Sequence, residues 1–91
     1  RTDQRRAAAD RRAELAPLKK VLQAAEKSVE KFNAEIAKLD AVLADADIYT
    51  KDPAKAQKLA QERGQFVKRL ADAEDAWLAA SEAYELADAG V

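Results

Sequence analysis

The sequence predicts an all-α fold: an antiparallel two-helix coiled-coil hairpin, with a short extra helix before Pro17. Three observations carry this expectation. The composition is 48% hydrophobic and 36% charged, with 5% aromatics, two Gly and two Pro, the profile of long helices. Two stretches place apolar side chains at alternating steps of three and four, the a/d seam of a coiled coil. Between them stands "ADADIYTKDP", the one phrase whose residues break the helical composition.

At 91 residues the chain has room for one domain with a thin core. It starts at Arg1 without Met, which reads as a domain excised from a longer protein. The whole chain, 1–91, is taken as a single domain, with a basic helical segment at 1–16, helix one at 17–44, a hairpin loop at 45–52 and helix two at 53–88. Fraying is expected at Arg1 to Thr2 and at Ala89 to Val91.

The segment "DQRRAAADRRAELA" is a good helix former, but only Ala8 and Leu15 occupy seam positions in it. Pro17 follows. Inside a helix its ring presses on the carbonyl of Ala13 and one hydrogen bond is lost, so the helix is expected to break or kink there.

Helix one carries Leu15, Leu18, Leu22, Ala25, Val29, Phe32, Ile36, Leu39 and Leu43 along one seam. In helix two the same alternation gives Ala56, Leu59, Arg63, Phe66, Leu70, Ala73, Trp77, Ala80, Tyr84 and Ala87, with Arg63 the single polar intrusion. Asp52 is placed as N-cap with Pro53 at the first helical position, where its missing donor costs nothing. A connection this short makes the helices antiparallel neighbours. The register that sets Ile36 on Phe66, Phe32 on Leu70, Val29 on Ala73, Ala25 on Trp77 and Leu22 on Ala80 faces large against small, as dense packing requires. A register one heptad shorter sets Phe32 on Arg63 instead. Ile48 and Tyr49 read as a plug over the end of the seam, Trp77 and Tyr84 as seam residues.

The chain has no Cys and no His, so thiolate chemistry, the commonest general base and the imidazole metal ligand are all missing. Asp72, Glu74 and Asp75 diverge on an exposed helix and read as a solvated face. Asp45, Asp47 and Asp52 lack the spacing of an EF-hand and read as turn and cap residues. We therefore expect no enzyme activity, no cofactor and no metal in this chain. No apolar run reaches the ~20 residues of a membrane span, and a cysteine-free chain fits a reducing, cytoplasmic setting.

Net charge is -1, but it is polarised: residues 1–43 carry ten basic and seven acidic side chains, residues 44–91 six and ten. Extending the heptad frame backwards places Arg5, Arg12 and Lys19 at e, with Arg6, Lys20 and Lys27 beside them at f. Such a ridge, with cations at ~10 Å steps, suits a phosphate backbone. With no aromatic interleaved, base stacking and sequence reading are not indicated. The residues leave a second reading open, in which these cations answer Asp72, Glu74, Asp75, Glu82, Glu85 and Asp88 across the hairpin. Exposed pairs of that kind contribute ~0 to 1 kcal/mol each.

From about Leu15 to Glu85 the chain resembles the C-terminal coiled-coil domain of ABC-F ATPases of the Uup type. The most specific parts are the hairpin phrase, with Leu43, Asp45, Ile48, Tyr49, Asp52 and Pro53, and the later Trp77-Leu78. Ala46 departs from the Pro frequent at that place. The resemblance implies an antiparallel hairpin appended to upstream tandem ATP-binding cassettes, which would hold the ATP and Mg of the parent protein, and weak DNA binding without strong sequence preference. Other members of that family act at the ribosome, so structured RNA is a second expected partner. A structural spacer or dimerisation arm, and an RNA-contacting helical arm like those of some aminoacyl-tRNA synthetases, are the alternatives.

Overall fold

The computed structural model describes residues 2–89. Its order is α1, Thr2–Leu43, α2, Asp47–Lys51, and α3, Pro53–Ala89, so the described residues are helical with no strand. α1, from about Leu15 onwards, packs against α3, and α2 packs on α3. The result is a rod of 73 × 16 × 13 Å, the antiparallel hairpin that the two seams predict.

Burial follows the heptads closely. On α1, every seam residue from Leu15 to Leu43 is half-buried, while all residues from 2 to 14 are exposed. On α3 the seam from Ala56 to Ala87 is buried or half-buried, with the exception of Trp77. Only Ala56, Ala73 and Ala80 are fully buried. They are small residues at seam positions, and the register sets the larger Val29 and Leu22 over Ala73 and Ala80. Two helices shield one another from one side each, so larger side chains keep an exposed edge.

Cross-helix contacts fix the register. The Trp77 indole N–H donates to Glu26 at 3.4 Å, and the Arg63 guanidinium donates to both carboxylate oxygens of Asp40, at 2.5 and 3.4 Å. The shorter register would have set Arg63 on Phe32. Phe32 instead meets Phe66 from the neighbouring layer, ring centroids 6.1 Å apart and tilted by 40°.

Two expectations are corrected. Pro17 lies inside α1 and does not end it, so there is no separate helix before it, and the division at 16/17 disappears. The proline ring fixes φ near the helical value and removes only its own bond to the Ala13 carbonyl, while strong helix formers on either side continue the turn spacing. The loop at 45–52 is also not irregular throughout: α2 forms a single short helix within it. The fraying expected at Arg1, Gly90 and Val91 falls outside the described residues, whereas Thr2 and Ala89 are the outermost residues of their helices.

The turn is built from its own side chains. The Asp47 N–H donates to the Asp45 carboxylate at 3.0 Å, and the Thr50 hydroxyl donates to the Asp47 carbonyl at 3.1 Å. The Tyr49 hydroxyl donates to the Leu43 carbonyl at 2.8 Å, satisfying one of the carbonyls orphaned at the end of α1. Tyr49 is thus a capping residue that stays 53% exposed, while Ile48 supplies the half-buried part of the plug. Asp52 caps α3 as expected, accepting from the Lys55 N–H at 3.1 Å.

Candidate nucleic-acid interface

The six cations of the ridge, Arg5, Arg6, Arg12, Lys19, Lys20 and Lys27, all lie on α1 and all are exposed. The continuity of α1 through Pro17 puts them on one helix. They divide into two groups. Arg5, Arg6 and Arg12 sit on the stretch where every residue from 2 to 14 is open to solvent, and Lys19, Lys20 and Lys27 sit where α1 runs alongside α3.

Positions e and f of a two-helix coil point sideways and outwards from the seam, which explains the exposure of the six. The outward face does not end at Lys27. Steps of four and seven lead on to Lys31 and Lys38, both exposed, and the heptad reading of the ridge missed them. Continuing the helical spacing past Lys27 would have found them. Lys31 leans over Phe32, its Nζ 5.9 Å from the ring centroid, and Lys38 pairs with Glu35 at 3.6 Å one turn away.

Ion pairing bears on the competing reading. Among the described residues the ion pairs are Lys38 with Glu35, Lys51 with Asp47 and Arg63 with Asp40, all in the half of the rod nearer the turn. None joins the six ridge cations to Asp72, Glu74, Asp75, Glu82, Glu85 or Asp88. The polarised charges run side by side without closing into pairs, and the cations remain available to an outside anion.

Trp77 departs from the reading as a seam residue. Its position is right, but it is 40% exposed. Its indole is too large for a seam that has a single facing helix, and it projects at the edge beside Glu26, Val29, Glu30 and Glu74, with which it lines an open cleft. Three carboxylates around that cleft make it unsuited to a base or a phosphate. Tyr84 is half-buried in the seam.

A long antiparallel hairpin that buries its seam residues between two helices and leaves most of its charged side chains exposed is an arm, a type of accessory module. The family model described as "ABC transporter C-terminal domain" matches residues 13–82, and the chain belongs to that family. It is an accessory domain of an ABC protein. No curated protein and no solved structure matches the chain. No helix among the described residues is long and apolar enough to cross a membrane.

Proposed function

We propose that this domain is the non-catalytic nucleic-acid-binding arm of an ABC-F ATPase of the Uup type, working in the cytoplasm and holding DNA weakly and without sequence preference. The hairpin phrase from Leu43 to Pro53 and Trp77-Leu78 support the family type. The observation that carries the function is the ridge: six exposed cations on one uninterrupted helix, none engaged in an ion pair within the described chain. In this reading each cation that reaches a phosphate releases a condensed counterion, so affinity comes from the backbone and falls steeply with salt. The ATP and Mg sites belong to the upstream cassettes, and the arm itself needs no cofactor.

The test is fluorescence anisotropy with a labelled DNA duplex over a salt series. Binding should weaken steeply from about 50 to about 200 mM salt. The Arg5→Ala, Arg12→Ala, Lys19→Ala variant should bind more weakly, with a salt slope shallower by about one for each lost phosphate contact. No binding at low salt, or a triple variant with unchanged slope, sinks the proposal. Tighter binding of a structured RNA under the same conditions would move the partner to the ribosome or another RNA.

A further inference from the structure

The arginine-bearing start of α1 and the acidic end of α3 are both at the open end, and the single helix α1 keeps those arginines away from the cleft at Trp77. The described residues from 2 to 20 carry six cations and three acids, whereas α3 after Arg69 carries six acids and no cation. Each ion pair among the described residues lies towards the turn, so the open end is the half in which opposite charges have found no partner. Within this acidic stretch Trp77 is 40% exposed, Leu78 53% and Leu86 74%. The cleft at Trp77 is lined by three glutamates, Glu26, Glu30 and Glu74, together with Val29, and no cation lines it.

The chain's own arginines cannot fill that cleft in the same molecule. α1 is one helix from Thr2 to Leu43, and Arg5 stands about 30 Å along it from Glu26 at the rise of an α-helix. Only another molecule brings the two together. We propose that two copies of this chain associate antiparallel through their open ends, the arginine-bearing start of α1 in one lying against Trp77 and the acidic end of α3 in the other.

A two-fold axis at the open ends forms both contacts at once, since what one copy offers the other receives. The start of α1 suits the role. Ala7 and Ala8 line a shallow groove with Gln4 and Arg11, so the backbone approaches closely while Arg5 and Arg12 reach the carboxylates. A guanidinium also finds the exposed indole face favourable. Nucleic acid does not fit this cleft, because three carboxylates repel it. Among basic protein segments, this chain's own is present on every copy. The inference stands independently of the DNA reading, although both use Arg5 and Arg12, so duplex DNA and a second copy compete for them.

Sedimentation velocity of the chain at about 50 mM and about 500 mM salt tests it, the higher salt screening charges beyond a few ångströms. A concentration-dependent dimer at low salt that dissociates at high salt is expected. The cleft variant Glu30→Lys, Glu74→Lys should weaken the dimer by about tenfold or more, and so should the segment variant Arg5→Glu, Arg12→Glu. All four side chains are exposed, and circular dichroism checks that each variant keeps its helices. Mixing the two variants should restore a dimer, because each then meets its opposite charge at both contacts. A wild-type chain that stays monomeric at low salt overturns the proposal, as do a dimer indifferent to the cleft variant and a mixture that remains monomeric. A monomeric chain whose Trp77 fluorescence responds to an oligoarginine peptide would assign the cleft to a different basic partner and overturn it too.

Discussion

Arg63 occupies a seam position where an apolar residue belongs, yet it is half-buried and not expelled. Long cationic side chains lay their methylene stems on apolar surface and keep the charged head in water. Here the head is held by Asp40 of α1. The hydrogen bond from Arg63 lowers the Asp40 carboxyl below its usual range, opposed by desolvation and aided to a lesser degree by the attraction between the charges. A carboxyl that gives up its proton more readily in the folded chain than in the unfolded one stabilises the fold above its unfolded value, near pH 4, and that contribution is lost as pH falls through the folded value. Asp40→Asn removes it. The stability difference between wild type and Asp40→Asn should therefore be present at about pH 6 and shrink towards about pH 2, as read by thermal unfolding. A difference that is constant with pH would show that the pair does not form in solution.

At the scale of elements, caps and seams were legible because each is written in a few neighbouring residues. Asp52-Pro53 starts α3 where the cap rule puts it. The five residues of α2 were not legible, since one turn of helix is too short to show a period. α1 was legible in its seam and misread at Pro17. The rule for an interior proline gives a cost, and of the break or kink it was expected to cause, the break does not occur. Once a helix is nucleated, each further residue adds a bond at little extra entropy, so turns on both sides hold the proline in place. Restoring the missing N–H tests this. Pro17→Ala should strengthen the helix by about 1 to 3 kcal/mol, seen as slower amide exchange between about residues 5 and 20. Unchanged exchange there would mean that α1 is already interrupted at this point in solution.

For the whole molecule, shape is the first consequence of pairing only two helices. The radius of gyration is 20.8 Å, whereas a compact domain of this length would have about 12 Å. Small-angle scattering at high salt should return a value close to the extended one, and a value approaching 12 Å would mean that the two helices do not form a rod in solution. Reach is what such an arm provides. A rod of 73 Å carries its turn well away from whatever body joins its open end, and the ridge of the proposed DNA contact runs from that end along α1.

The sequence by itself determined the helices, the turn between them, the Asp52 cap, the seam residues and the pairing of Phe32, Ile36 and Val29 with α3. These follow from spacing and composition, which are local properties, whereas the partner residue of Phe32 was not among them: it was expected on Leu70 and its ring meets Phe66. It also supplied the six cations of the ridge, as a list of charges at helical intervals. Only the tertiary structure decided that α1 passes through Pro17, that Trp77 stands at the edge of the seam, and that the charges of the open end remain unpaired. Those outcomes depend on how many helices surround a side chain and on whether a rigid helix lets opposite charges meet, and neither quantity is written in the neighbourhood of any single residue.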